Sequence, residues 1–460
     1  MSCGRVLLLN VVGLTAGLLE HMPNLGRLAT RARLRPVLPA VTCSVQSSML
    51  TGLLPAEHGI VGNGWYFRDL GEIHLWRQHN RLVGGTKIWE AARAEIPGYR
   101  AANLCWWYAM GASTDITVTP RPVYHADGRK SPDCYVRPPR LHDELTAQLG
   151  PFPLFQYWGP TAAIASSRWI AAAGMRVLDD PPELTMAYLP HLDYDLQRYG
   201  PDSAAAARAA RAVDAAAAPL LEKAAASGIT VLVVSEYGIT AVSRPVHVNR
   251  ALRAAGLLEV YTQEGMEYLD PWTSRAFAVA DHQIAHVYVP EATDLSRARA
   301  VLAELPGVDQ VLDREGQRAY GIDHARAGEL VLVAEPDAWF TYYYWNEDAH
   351  APDFARGVEI HRKPGYDPAE LFFDPADPLA KAKAAMNLVR KRAGLRYRMS
   401  MVPTDAGWVR GSHGRLPDTA ADSPLVLCSR ELDLPESVPV TDIKNMVLSL
   451  QGLRETVPAD

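Results

Sequence analysis

The 460-residue sequence predicts an α/β protein built on a doubly wound, mostly parallel sheet, and three observations carry that reading. Arg5-Val-Leu-Leu-Leu-Asn-Val-Val-Gly13 is apolar along most of its length, as a strand covered on both faces must be, and it stops at a glycine turn. Ile229 to Ser235 repeats the pattern and turns polar at its end. Between it and a further strand, Leu184 to Leu189, lies the alanine-dense stretch Asp202 to Ser227, with Asp or Ser to cap a helix and Gly228 to stop it. Strand, polar turn, helix, strand is the order of a parallel sheet with crossover helices. Such sheets bind ligands outside the carboxyl ends of their strands, so Asp193 and Glu236, each just past a predicted strand, are expected to converge.

The other elements follow in order. Asn24 to Arg33 reads as a short amphipathic helix, Ile88 to Glu95 as another, and Ala101 to Tyr108 as a strand. The stretch from Asn63 to Leu82 is aromatic and basic. Thr117 to Arg140, rich in Pro, Asp and Tyr, reads as a long loop of the kind that lines sites. From 244 to 335 the texture changes to short strands around a helix, predicting an inserted α+β cap in a core made of 1–243 and 336–460. His282 and His286 fall in this segment, and a strand there would put them on one face but too far apart to chelate one ion. Lys381 to Arg398 reads as a basic, solvated helix and Thr441 to Leu453 as an amphipathic one.

Composition excludes several classes. Charged residues are 21% of the chain and the net charge is −6, so no basic surface speaks for nucleic acid. The early apolar run Val6 to Leu19 is too short to span a bilayer and lacks the flanks of a signal segment, so no membrane insertion is expected. The 5 cysteines (3, 43, 105, 134 and 428) lack metal-type spacing and fit a reducing, cytoplasmic setting.

Chemistry is expected to start in Leu38-Pro-Ala-Val-Thr42-Cys-Ser-Val-Gln46-Ser-Ser-Met-Leu-Thr51-Gly-Leu-Leu-Pro55-Ala-Glu-His58-Gly-Ile-Val-Gly62-Asn63. A proline-bounded loop delivers Thr42 and then small hydroxyl residues suited to a helix start, where unpaired N–H groups attract anions and phosphate. A hydroxyl there can attack phosphorus when something lowers its pKa, usually a metal. A plain helix cap is the simpler reading of such a threonine. Asn10 and Asn63 are candidate donors to a phosphoryl oxygen.

This stretch resembles the nucleophile segment of type I phosphodiesterases and nucleotide pyrophosphatases, in the alkaline phosphatase superfamily. Pro39, Thr42, Thr51-Gly52, Pro55, His58-Gly59-Ile60 and Asn63 fall in register with that pattern. Three further points match in place: Asp193-Tyr-Asp195-Leu-Gln197-Arg-Tyr-Gly200-Pro201, Ser235-Glu236-Tyr237-Gly238 and Gly411-Ser412-His413-Gly414. Glu359-Ile-His361-Arg-Lys-Pro-Gly-Tyr-Asp367 is similar to a stretch in a divergent branch of the family, of the kind found in bacterial ebo-type biosynthetic clusters.

The resemblance implies an alkaline-phosphatase-like fold and Thr42 as nucleophile. It also implies a divalent metal site, from which this chain departs. One family ion would take Val12, Thr42, Glu236 and Tyr237, so two ligands are lost and one is lengthened. The other would take Asp193, Gln197 and His413. One ion, zinc by the resemblance, is therefore expected, on Asp193, Glu236 and His413, with His361 and Asp367 as added ligands. Gln197, Tyr237, Asn10 and Asn63 are left to bind substrate. The implied activity is metal-dependent hydrolysis of phosphoric mono- or diesters of a small phosphorylated metabolite. The alternatives are a catalytically degenerate binder of such a metabolite and a phosphoryl or nucleotidyl transferase working through the same threonine.

Overall fold

The computed structural model describes residues 3–453 apart from 128, 396 and 398. Val6–Val11 is buried at every position and lies inside a 9-stranded sheet. Leu184–Leu189 and Thr230–Val234 flank it in parallel, with Asn10 opposite Tyr188 on one side and Val234 on the other. Ala101–Leu104 and Ile116–Pro120 continue the parallel array beyond Leu184–Leu189. On the far side come Leu425–Cys428, Thr30–Arg35 and Ser437–Pro439. All strands of this sheet run one way except Leu425–Cys428 and the edge strand Cys134–Arg137. The central strands are apolar throughout because helices cover the sheet. Ala165–Val177 and Ala204–Ala226 pack on each other and on the strands, and Ile443–Leu450 packs on Val6–Val11 and Thr42–Thr51. Ser203 caps Ala204–Ala226 by accepting from the Ala206 amide. The fold is thus the mostly parallel, doubly wound α/β sheet that the strand pattern predicts.

Three local expectations are corrected. Asn24 to Arg33 holds only a turn of 3-10 helix, Leu25–Arg27, before the strand Thr30–Arg35 begins. There Thr30, Ala32 and Leu34 point inward while the arginines between them face water, a period of two that the short helical pattern concealed. Thr117 to Arg140 is not a loop: Ile116–Pro120 and Cys134–Arg137 pair antiparallel and close one edge of the sheet. The strand at 101 ends early, at Leu104, because Cys105 and Tyr108 adopt positive φ and break the ladder. The basic helix spans Ala380–Arg392; Arg398, where the expectation placed its end, is outside the described residues.

Between 244 and 335, Phe277–Asp281, Ile284–Tyr288, Leu330–Ala334 and Val308–Leu312 form a 4-stranded antiparallel sheet in that spatial order. Its apolar cluster includes Phe277, Val287 and Leu330 and runs on into Trp339, Tyr342 and Trp345. The same cluster takes in Ile60 and Val61, which pulls the cap onto the loop that follows Thr42–Thr51. His282 is not on a strand. It occupies the turn joining Phe277–Asp281 to Ile284–Tyr288, at φ 62°, which aims its ring back at the main sheet. Among the described residues, no helix is long and apolar enough to cross a membrane.

Candidate active site

Thr42 opens the helix Thr42–Thr51, which stops at Gly52 with φ 74°. Val41, extended, precedes it, so the threonine does not spend its oxygen as a cap. The first-turn amide of Cys43 is satisfied instead by Asn63 Oδ1 at 2.9 Å. Further along, Ser47 and Thr51 turn their hydroxyls back onto carbonyls four residues earlier, and Ser48 bonds to His58 Nε2. That leaves Thr42 as the hydroxyl of this helix that lines the main cavity, with Oγ1 2.9 Å from the Tyr237 hydroxyl.

Asp193 and Glu236 reach the same place from beyond the ends of Leu184–Leu189 and Thr230–Val234, the two strands that flank Val6–Val11. Glu236 is fully buried. Its Oε1 accepts from Asn10 Nδ2 at 2.6 Å and from the Gln46 amide, and its Oε2 has no partner among the described residues. Burial drives its pKa up to about 8, against the pull of the Gln46 and Asn10 hydrogen bonds. Asp193 Oδ1 accepts from the Tyr237 hydroxyl at 3.5 Å. Burial raises its pKa to about 7, opposed by the Gln197 amide and Tyr237.

His413 comes from the opposite direction. Gly411 lies so close to the Leu196 carbonyl that a β-carbon would meet it at 2.2 Å; only glycine lets this strand press on the helix His191–Tyr199 that carries Asp193. His413 Nδ1 is 2.9 Å from the Ala40 carbonyl, which places the proton there and turns a bare Nε2 toward Asp193 Oδ1 at 3.9 Å. Burial holds the imidazole pKa well below its ordinary value, so the ring is neutral and this contact is no ion pair. The ring stacks on Tyr237 with centroids 3.5 Å apart and meets His282 at 3.8 Å with the planes tilted by 37°; His282 stacks in turn on Tyr366 at 3.6 Å. Asp281 anchors this column, accepting from His282 Nδ1 at 2.8 Å and from Asn63 N and Nδ2 at 2.7 and 3.0 Å.

Thr42, Asp193, Glu236, Tyr237 and His413 are therefore brought together, and other expected site residues have different work. Asn63 is not free to grip a phosphoryl oxygen: its carbonyl caps the Thr42 helix and its amide holds Asp281. Asn10 is likewise turned onto Glu236 rather than toward the cavity. Gln197 accepts from the Tyr366 hydroxyl at 2.8 Å and is fully buried. Asp367 is not an added ligand of the cluster, because Lys363 Nζ takes one oxygen at 2.7 Å and the Ala369 amide the other at 3.1 Å. His361 lines the cavity wall with Nδ1 on the Leu75 carbonyl, and no bond joins it to Asp193 or His413. The residues that the sequence reading passed over are Gln46, which shares Glu236, and the cavity walls Trp76, Trp158 and Tyr366. Only the aromatic density after Asn63 hinted at the walls.

The family's two-ion ligand set does not fit. The Tyr237 phenol lies beside Thr42 where a histidine ligand would be, Val12 offers no donor, and Glu236 has only Oε2 left, its Oε1 being held by two amides. Asp193 and His413 do fit a single divalent ion, since the unpartnered Nε2 faces a carboxylate across 3.9 Å. Among the described residues, the one group of three His, Cys, Asp or Glu donors within 4.8 Å of each other is elsewhere, at Asp133, Cys134 and His142 on the sheet edge. There burial pushes the Cys134 thiol up to about 12 and Asp133 is already engaged by His142, which suits a hydrogen-bonded corner better than a metal.

The cluster forms the floor of a cavity of about 220 Å³ walled mainly by aromatic side chains. A hydroxyl at a helix start, two buried carboxylates and a neutral imidazole beyond the strand ends of a parallel sheet are groups with which an anionic ester can be bound and attacked. Comparison with known proteins assigns the family. The model for type I phosphodiesterase/nucleotide pyrophosphatase matches residues 6–367, and the chain belongs to that family of phosphoester-cleaving enzymes. No curated protein sequence matches it. Among solved structures it is similar to phosphonoacetate hydrolase from Sinorhizobium meliloti in complex with phosphonoformate, at TM-score 0.62 and 17% identity over 98% of this chain and 96% of that one. It is also similar to murine ectonucleotide pyrophosphatase/phosphodiesterase 5, at TM-score 0.57 and 15% identity over 99% and 97%. An inactive threonine-to-alanine form of that murine protein, in complex with AMP, matches at TM-score 0.58 and 15% identity over 99% and 97%. At these identities the likeness establishes the alkaline-phosphatase-like fold.

Proposed function

We propose that the protein hydrolyses esters of a small phosphorylated metabolite with Thr42 as the nucleophile. The observation that carries this reading is the position of Thr42 Oγ1, on the cavity floor, hydrogen-bonded to Tyr237 and flanked by Asp193 and Glu236. Thr42 Oγ attacks phosphorus, the P–O bond to the alcohol breaks, and water then cleaves the phospho-threonine to restore the hydroxyl. The helix start beneath Thr42 favours the negative charge of the phosphoryl group. Tyr237 orients the attacking oxygen, while Asn10 and Gln46 hold the Glu236 carboxyl beside it.

Asp193 and His413 would hold one divalent ion, zinc by the family resemblance; bound there, it would offset charge on the phosphoryl oxygens. Replacing Thr42 by Ala is expected to lower hydrolysis of a phosphoric ester by at least ~10³-fold. Acid-quench trapping with ³²P-labelled substrate should label the wild type on Thr42 and leave T42A unlabelled. Full activity in T42A would end the proposal. The replacements at Val12, Gln197 and Tyr237 favour one second reading, a protein that binds the metabolite without turnover. Tight binding by the wild type with no product formed would select it.

A further inference from the structure

Building on the reading that this site cleaves a phosphoric ester, we infer that the alcohol part of that ester is a bulky apolar ring system rather than a nucleoside or a sugar. Above the polar floor of Thr42, Asp193 and His282, the cavity wall is mostly indole, phenol and aliphatic side chains, with Gln78 and His361 among them. Trp76 packs on Trp107 with centroids 4.8 Å apart and meets the Tyr366 ring edge-on at 6.1 Å. On the other side Trp158 lies 5.7 Å from Tyr366 and 6.4 Å from Tyr194. Trp76 is held at φ 60°, a conformation a bulky residue adopts only where its surroundings dictate it, so this ring is fixed in place before a ligand arrives.

What the wall withholds matters as much as what it offers. Trp158 Nε1 donates to Glu370 Oε2 at 2.6 Å, the Tyr366 hydroxyl to Gln197, and the Tyr194 hydroxyl to the Tyr157 carbonyl. Each of these rings has given its polar atom to the protein and shows the cavity a hydrocarbon face. The hydroxyls of a ribose or a hexose packed against these three rings would lose water and gain no partner from them, a penalty of about 1–3 kcal/mol for each group. A naphthalene-sized or alicyclic group meets no such penalty and gains contact with flat faces on both sides. The cationic groups of the lining are at its outer rim: Arg121 is exposed, and Lys130 is paired with Glu359. They suit an incoming anion and leave the interior apolar.

The test compares esters with the same phosphate and different alcohols: 1-naphthyl phosphate and its methyl diester against glycerol 1-phosphate and AMP. The wild type should cleave the naphthyl esters with kcat/KM at least ~10-fold higher. In parallel, 1-naphthyl phosphate should quench tryptophan fluorescence of T42A at concentrations at least ~10-fold below those AMP requires. Trp76→Leu should shrink both ratios. Ile360→Glu, which sets a charge into the same wall, should do so independently if the first variant folds poorly. Equal or better cleavage and binding of AMP or glycerol 1-phosphate would overturn the inference, as would ratios unmoved by both wall variants. If no ester is turned over, the hydrolase reading fails, and the T42A binding comparison still decides the ring preference.

Discussion

Two buried polar clusters each hold a residue that lines the cavity, Trp158 in one case and Thr42 in the other, and they are finished differently. In one, Lys363 Nζ bridges Asp367 at 2.7 Å and Glu370 at 2.8 Å, with all three side chains only 1% exposed. The remaining carboxylate oxygens accept from the Ala369 amide and from Trp158 Nε1, and Glu370 Oε1 accepts from the Glu359 amide as well as from Lys363. Burial works against the charge of Lys363, but Asp367 and Glu370 outweigh it and raise its pKa. The other cluster, around Thr42, leaves Glu236 Oε2, His413 Nε2 and Asn10 Oδ1 buried without partners among the described residues. Buried polar atoms are nearly always paired, so a satisfied cluster holds a wall in place while an unsatisfied one awaits a ligand. The first cluster locks Trp158 and the loop bearing Tyr366; the second faces what those rings enclose.

The contrast can be broken in order of effect. Thr42→Ala should abolish turnover, as stated above, yet cost only about 1 kcal/mol of stability, because one hydrogen bond to Tyr237 is lost. Lys363→Met should do the opposite. It strands two buried carboxylates and is expected to cost about 3–5 kcal/mol, read as a large fall in the chemical-denaturation midpoint.

Glu236→Gln should stabilise the fold, by up to about 5 kcal/mol at pH 9 and scarcely at all at pH 4. The sign follows from the raised pKa of about 8: the folded state keeps a proton that the unfolded chain releases near pH 4.5, so stability falls as pH rises between those values. A glutamine removes that loss and can still accept from Asn10 and Gln46. Thermal melts across this range that run parallel for the two proteins would contradict the assignment. The smallest change is expected from metal removal. Chelation should lower activity and strip no more than one ion per chain, with His413→Ala preventing its return on elemental analysis, while Lys363→Met leaves the stoichiometry unchanged in whatever fraction stays folded.

Much of the site was legible along the chain, for identifiable reasons. Glu236 and Asp193 declared themselves as polar residues just after long apolar strands, and a parallel sheet has to bring such ends together. Thr42 stood out through the proline loop before it and the hydroxyl run after it. Less visible were roles that depend on who arrives across space. Asn63 and Asn10 look like substrate donors in sequence, but Asp281 and Glu236 claim them from 218 and 226 residues away. Asp367 looked like a carboxylate in search of an ion until Lys363, four positions back, was found folded onto it. The strands at Ile116 and Cys134 were missed because, at 5 and 4 residues, they carry little periodic signal of their own.

The sequence by itself determined the parallel core, the turn that presents Thr42 and the absence of ligands at Val12, Gln197 and Tyr237. Those are local properties: strand hydrophobicity, turn chemistry and residue identity at a matched position. Only the tertiary structure decided which polar groups are spent on one another and which stay open, and that the rings of Trp76, Trp158 and Tyr366 close over the floor. Hydrogen-bond partners are chosen by distance after the chain has packed, and spacing along the chain does not record that choice.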